Sequence, residues 1–360
     1  MGAVWARKVW QREGIFYYLL WLWALPLSLA YGLAVRLCGL LYRLRWLSVQ
    51  GLPRPVVSVG NLTVGGTGKT PTAIWLAREL DQRGHRVAIL SRGYKGAAKE
   101  PVVLEPAYEL ARPSSKEDGD FLTAGDEPVM MARLFGRRVG VGKNRLQAGA
   151  KLLAAGETDI FILDDGFQHR RLNRDVDLLL LGSDSNGWLL PAGAFREPRK
   201  QLGRAHLYLV TGARERWEPL LADRPAGTVF FGALQPRAVL TFESGRWKEY
   251  PLTLLDRSKI LAVSAIADPE PFYRMIHDWD GEIIETMQFP DHHNYSTRDW
   301  QRIIRVSHNA DYILTTEKDI VKLARFPFAR EKLLALRVEM VVENGAALVD
   351  AVESLVRRNG

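Results

Sequence analysis

The sequence predicts an α/β fold: a mostly parallel sheet with flanking helices, a smaller C-terminal α/β lobe and an apolar helical segment ahead of both. Three observations predict it. From Val56 to Val210, short β-branched runs alternate with stretches of helical period, the pattern of strands joined by crossover helices. A glycine-rich stretch, Gly60 to Gly68, joins the first such strand to the first helix. Gly14 to Val35 carries no charge at all.

The elements follow in order. Val56 to Val59 is a strand, and a helix bearing Ile74, Ala77 and Leu80 on one face follows the loop. Val87 to Leu90 is a second strand, ending in Ser91-Arg92-Gly93-Tyr94, and Val102 to Leu104 a short third. Gly125-Asp126-Glu127-Pro128 opens a helix through Leu134. Arg138 to Val141 is a strand, Asn144 to Ala155 a helix, and Ile160 to Leu163 a buried strand ending in Asp164-Asp165. Val176 to Leu181 and Leu207 to Val210 continue the sheet. Past about residue 225, Ala238 to Phe242 and Trp247 to Pro251 read as a hairpin. Strands at Ile260–Val263, Glu282–Thr286 and Tyr312–Thr315 then alternate with helical stretches. The chain divides into an N-terminal segment 1–46, a core 47–225 and a smaller lobe 226–360, with a cleft between the last two.

The N-terminal segment reads as membrane-associated. As a helix, Gly14 to Val35 would extend ~33 Å, about one hydrocarbon core. Phe16, Tyr17, Tyr18, Trp21, Trp23 and Tyr31 are aromatics that favour the membrane interface. Pro26 should kink or split the helix. Arg7, Lys8 and Arg12 precede it and Arg36, Arg43 and Arg45 follow, so charge gives little orientation, and a kinked hairpin in one leaflet also fits. Two readings compete: a signal peptide, supported by the small residues at Ser28-Leu29-Ala30, which would export a nucleotide loop to where ATP is scarce, and a buried core helix, for which five aromatics before Pro26 would be unusual.

Composition narrows the classes. The chain of 360 residues carries a net charge of +8 and is 47% hydrophobic. A basic balance suits nucleic acid, an anionic membrane or an acidic substrate. Its single cysteine, Cys38, rules out an intrachain disulfide and disfavours a cysteine metal site. Basic residues cluster at Arg170-Arg171, Arg174, Arg196, Arg199, Lys200 and Arg204, with few aromatics among them. That sparseness, and the lack of nucleic-acid module signatures, argue against nucleic acid and for phosphate or anionic headgroups.

Residues 60–70 carry the chemistry. Strand, glycine loop, Lys69-Thr70 and helix are the context of a phosphate-binding loop, so the fold is P-loop NTPase-like. Thr63, Val64, Gly65, Gly66, Thr67 and Gly68 would cradle phosphate oxygens through their backbone N–H groups. Lys69 would reach the β- and γ-phosphates of ATP and the Thr70 hydroxyl a Mg²⁺ ion. Thr63 stands where G-x-x-x-x-G-K-[ST] wants glycine. An acidic strand end downstream of such a loop is the usual partner for Mg²⁺, which points to Asp164 and Asp165. Asp126 with Glu127 forms a second acidic pair, and Asp291-His292-His293 a third cluster with a candidate proton acceptor.

Several ordered stretches resemble the tetraacyldisaccharide 4′-kinases of lipid A biosynthesis. They are Gly60 to Pro71, Ser91 to Tyr94, Ala124 to Pro128, Leu163 to His169, Leu190 to Gly193 with Arg196-Glu197-Pro198, Phe289 to His292, and Thr315 to Asp319. The match runs over nearly the whole chain and includes the irregular loop; His293 and the long loop at 105–123 depart from it. The resemblance implies transfer of the ATP γ-phosphate to the 4′-hydroxyl of a lipid disaccharide 1-phosphate at the cytoplasmic face of the inner membrane. It implies Asp126 as base assisted by His292, with Lys69 on the phosphates. Mg²⁺ would lie around Thr70, Asp164 and Asp165, with Glu127 near. Asn61, Arg92, Gln168, His169, Arg170 and Arg196 are candidates for the acceptor, and anionic lipids are expected partners. No oligomer is implied. The rival is a membrane-bound ATPase switch with no phosphorylated product. Such proteins carry K-G-G-x-x-K-[ST], and Val64 occupies the position of the first lysine.

Overall fold

A computed structural model describes residues 2–93, 96, 100–105, 124–183, 186–243, 246–266, 268–291, 293–329 and 331–359. The strands come where short apolar runs sit between turn signals. They are β1 (Val56–Asn61), β2 (Val87–Ser91), β3 (Val102–Leu104), β4 (Val139–Val141), β5 (Ile160–Asp164), β6 (Val176–Leu181) and β7 (Leu207–Val210). β1, β2, β5 and β6 are buried along their whole length. That is why they read as continuous apolar runs rather than alternating ones. Helices α3 (Lys69–Gln82), α4 (Asp126–Phe135) and α5 (Arg145–Ala155) cross between them. Asn144 caps α5 by accepting from the Gln147 N–H at 3.3 Å.

The second half contains β8 (Val229–Glu243), β9 (Arg246–Tyr250), β10 (Lys259–Ser264), β11 (Glu282–Gln288), β12 (Tyr312–Thr316) and β13 (Leu333–Val342). Its helices are α6 (Arg214–Leu221), α7 (Glu270–His277), α8 (Thr297–Val306), α9 (Glu317–Leu323) and α10 (Gly345–Asn359). All strands but β9 lie along one path, β11-β10-β12-β13-β8-β7-β6-β1-β5-β2-β4-β3, and β9 hangs on β8. The sheet is therefore mostly parallel, as expected, but continuous.

Strand β8 joins the halves. Its first residues, Val229–Phe231, pair parallel with β7. Beyond them it overruns the carboxyl edge of the first half, and from Gly232 to Leu240 it pairs antiparallel with β13. Strands β12, β10 and β11 all run parallel to β13. The reversal points them back, so that the carboxyl ends of the distal strands face the carboxyl ends of the proximal ones. Ligands of open α/β sheets gather at such ends. Each half has its own apolar core: Val57, Leu76, Ile89, Ile162 and Leu178 in one, Leu261, Val263, Ile313, Ile320 and Ala335 in the other.

Ahead of the sheet, α1 (Gly2–Gln11) leads into α2 (Ile15–Arg43). Pro26 was expected to kink or split this helix; α2 runs on as one helix through it. Among the described residues it is the one helix long and apolar enough to cross a membrane, and only 11% of its apolar window is buried. One face is docked. Trp21 Nε1 donates to the Ala192 carbonyl at 2.9 Å, Ser28 Oγ to the Leu189 carbonyl at 2.9 Å and Tyr31 OH to the Arg196 carbonyl at 2.9 Å. A methyl on Gly32 would sit 2.8 Å from Leu189 Cδ1, so glycine there lets the helix close on the loop. Ile15, Trp23, Leu27, Leu29 and Leu33 face away, each more than half exposed.

Candidate active site

Residues 60–70 form the turn between β1 and α3. Asn61 Nδ2 donates to Thr67 Oγ1 at 2.9 Å, Gln168 Nε2 to the Asn61 carbonyl at 2.8 Å and Thr211 Oγ1 to the Thr67 carbonyl at 3.0 Å. These bonds hold the outside of the loop. Its inside is open: a Cβ on Gly65 or Gly66 would meet no atom within 4 Å. Gly65 and Gly68 have φ of 113° and 82°, the left-handed region that glycine tolerates. Thr63 is buried and bridges Phe195, while the Val64 N–H donates to the Ala194 carbonyl at 2.8 Å. The position where the common motif has glycine is thus strand-paired here, which explains its side chain.

Lys69 opens α3 and Thr70 follows it, half-buried. Lys69 Nζ lies 3.6 Å from Asp165 Oδ1. Arg196 Nη1 reaches the same carboxylate at 3.0 Å. Burial works to raise the Asp165 pKa, yet Lys69 and Arg196 together hold it below the ordinary value. Asp164 behaves oppositely. Burial, with the Glu127 and Asp165 carboxylates, pushes it up to about 8 against Lys69 and Arg145. Its Oδ1 is buried without a hydrogen-bond partner. An orphaned carboxylate oxygen, beside a second carboxylate and at the foot of an open phosphate loop, fits a divalent cation with few protein ligands. Such a cation completes its shell from phosphate and water. Among the described residues, no group of three or more His, Cys, Asp or Glu side chains comes together as a metal site.

A basic corner adjoins the acids. Arg145, the first residue of α5 at the carboxyl end of β4, is 4% exposed, and burial lowers its pKa to about 10 despite Asp164 and Asp165. Its Nε has no partner. His169 is pushed down to about 4 by burial and then by Arg145, Arg174, Arg171 and Arg92. Arg92 is exposed. Arg145 was not among the expected site residues; its place just after a helix cap that follows a strand end is the one local signal for it. The basic run at 170–204 is less free than its composition indicates. Arg170 and Arg204 both pair with buried Glu197, at 2.6 and 3.2 Å, and Arg174 pairs with Asp177 at 2.9 Å.

On the same rim, Asp126 is the first residue of α4, after Gly125 at φ 89°. Its side chain, and His292 altogether, lie outside the described residues. Their neighbours show where the chain runs. Lys318, on α9, places Nζ 3.2 Å from Glu127 Oε1 and 3.4 Å from Asp291 Oδ1. Glu127 and Asp291 are thus brought together, one from each half of the sheet. Residues 60–70, 92, 126–127, 145, 164–169, 196 and 291 lie along the facing carboxyl rims.

Comparison with known proteins follows the same outline. The family model described as tetraacyldisaccharide-1-P 4′-kinase, LpxK, matches residues 20–357. The chain is 36% identical over 342 residues to a tetraacyldisaccharide 4′-kinase of Pelobacter propionicus, covering 92% of each protein. It is 35% identical over 361 residues to the like-named protein of Dechloromonas aromatica, covering 99% of this chain and 98% of the other. A crystal structure of LpxK from Aquifex aeolicus, described as an apo form in complex with ATP, superposes with a TM-score of 0.72 at 31% identity, over 92% of this chain and 98% of that one. By the extent of these matches, the chain belongs to the tetraacyldisaccharide-1-P 4′-kinase family.

Proposed function

We infer that this chain is an ATP-dependent kinase that transfers the γ-phosphate to the 4′-hydroxyl of a tetraacyldisaccharide 1-phosphate, a lipid A precursor. The observation that carries the reading is the confrontation of two rims. An open phosphate loop with Lys69, Asp164 and Asp165 shares the proximal rim with the start of α4, and Asp291 meets that start from the distal rim through Lys318. Phosphoryl transfer needs a donor site and a positioned hydroxyl in line with it, and little covalent chemistry from the protein.

In this reading the loop N–H groups and Lys69 hold the β- and γ-phosphates. Asp126 accepts the hydroxyl proton and His292 assists it. Thr70, Asp164, Asp165 and Glu127 are the residues that would hold Mg²⁺, which when bound neutralises charge on the transferring phosphate. Asn61 and Gln168 shape the loop. Arg92 and Arg145 form the positive corner suited to the acceptor's own phosphate, with a neutral His169 beside them as a hydrogen-bonding group and Arg170 and Arg196 bordering it. Residues 1–46 meet the membrane, 47–225 hold nucleotide and 226–360 close the cleft. The docked helix α2 turns its apolar side outward along its length, which favours a helix lying in one leaflet of the cytoplasmic membrane and drawing on anionic lipids through Arg36, Arg43 and Arg45.

The test is a product assay. Purified full-length protein is mixed with γ-labelled ATP and the lipid acceptor in detergent–phospholipid micelles. Label is expected in the 4′-phosphorylated lipid. ATP hydrolysis that is equal with and without acceptor, with no labelled lipid, would instead establish the ATPase switch.

A further inference from the structure

The bridge made by Lys318 points to a role that the phosphate loop does not cover. Its Nζ links the two halves at Glu127 and Asp291. It lies 3.2 Å from Glu127 Oε1 on the proximal rim and 3.4 Å from Asp291 Oδ1 on the distal one. Each contact is one residue away from a proposed proton acceptor. Lys318 is 16% exposed, so its ammonium is screened less than a surface lysine's.

The platform beneath it is fixed. Lys318 is the second residue of α9. Thr316 caps that helix by accepting from the Asp319 N–H at 3.2 Å and donating to Asp319 Oδ2 at 2.8 Å. The same Oδ2 accepts from the Ala265 N–H at 2.9 Å, tying α9 to the end of β10. Glu317 accepts from the Val338 N–H at 3.1 Å, tying it to β13. Residues on either side of Lys318 are thus committed to backbone, and Lys318 alone of the three turns outward to the cleft. A rigid mount with a charged tip is how a site is held to the tolerance that chemistry requires.

We propose that Lys318 is a positioning residue for the phosphoryl transfer: it clamps the start of α4 to the 291–292 turn, so that Asp126 and His292 meet the acceptor hydroxyl together. The proposal rests on the kinase reading above. Asp126 comes from the proximal half and His292 from the distal half; β8–β13 pairing, the Arg78–Glu339 ion pair and Arg133 over Trp247 join the halves elsewhere, and Lys318 joins them next to these two positions. A displacement of about 1 Å at a reacting group costs on the order of 100-fold in rate.

The experiment uses full-length wild type, Lys318→Met, Lys318→Arg and Asp291→Asn, assayed in micelles with labelled ATP and the lipid acceptor. Lys318→Met should lower kcat about 100-fold with KM for ATP within about threefold of wild type, because the nucleotide contacts are untouched. Lys318→Arg should restore most of kcat, since it returns the cation. Asp291→Asn should fall between, having lost half the bridge. A kcat for Lys318→Met within twofold of wild type overturns the proposal, and so does a rise in KM for ATP at unchanged kcat, which would mean a nucleotide contact. If Lys318→Met does not fold, Asp291→Asn with wild-type kcat overturns it. Absence of lipid product from wild type would defeat the kinase reading instead, and is seen in a separate lane.

Discussion

Asp164 and Asp319 stand at corresponding places, one at the carboxyl end of β5 and the other just past the carboxyl end of β12. Both are buried, at 5% and 0% exposure, and burial raises the pKa of both. Their surroundings differ. Asp319 spends Oδ2 on the Ala265 N–H and the Thr316 hydroxyl. Asp164 is surrounded by charges, Glu127 and Asp165 against Lys69 and Arg145, and its Oδ1 is left with no donor. Two halves of one sheet, both parallel and both ending in acids, are put to separate uses. Asp319 uses Oδ2 to tie α9 to the end of β10, while its Oδ1, like that of Asp164, has no hydrogen-bond partner. What separates the two acids is therefore the ring of charges around Asp164 and the backbone tie made by Asp319, not an orphaned oxygen, which both have.

The comparison can be broken from either side. The largest effect belongs to the acid on the proximal rim facing the loop. Asp126→Asn should lower product formation by roughly 10²- to 10⁴-fold, the usual worth of a general base, with ATP binding retained by equilibrium titration. Next come the two strand-end acids. Asp164→Asn should cost roughly 10²- to 10³-fold in kcat while the melting temperature stays unchanged, since no hydrogen bond from a local donor to Oδ1 is lost. Asp319→Ala should do the reverse in stability, losing about 1–3 kcal/mol because the buried Ala265 N–H loses its acceptor. Thermal scans of the pair decide this, and equal melting temperatures would erase the distinction.

The smallest effect is in pH dependence, where the halves have opposite sign. His169, on the proximal side, has a folded pKa of about 4 against an ordinary 6.5. Between those values the unfolded chain takes a proton that the folded chain refuses. Its contribution is full above 6.5 and is lost as pH falls to 4. Glu317, on the distal side, has a folded pKa of about 7 against 4.5. There the folded chain keeps a proton that the unfolded chain gives up, so its contribution is full below 4.5 and is lost as pH rises to 7. His169→Gln should flatten the acid fall in melting temperature, and Glu317→Gln should flatten the decline toward neutrality. Melting temperature followed against pH for each variant and wild type reads both changes.

Much of this was legible beforehand because it is local. Residues 60–70 announce a phosphate loop within one strand–turn–helix, and Asp164-Asp165 announces a strand end within five residues. Most strands and helices of the first half fall within a residue or two of their expected limits. The rest depends on pairing across the chain. β8 reads from its sequence as half a hairpin, and β13 as nothing in particular, because their pairing joins residues about a hundred positions apart. Arg170 and Arg204 read as free cations until the fold brings Glu197 between them. Arg145 and Lys318 have ordinary helix-start neighbours, and only the facing of the two rims gives them a place. Pro26 sits inside an unbroken α2. A proline removes one N–H, and the surrounding helix tolerates that where its apolar flanks favour helix on both sides.

One loop ties two distant parts of the molecule together. Residues 189–196 accept hydrogen bonds from Trp21, Ser28 and Tyr31 at their backbone, and the same stretch ends in Arg196, whose guanidinium grips Asp165. It therefore acts as a ruler. The height of the phosphate loop above α2 is fixed by a few rigid residues, not by a flexible tether. With α2 lying in one leaflet, as proposed above, a lipid acceptor would have to bring its sugar to that height, and headgroups standing lower or higher would fall out of reach.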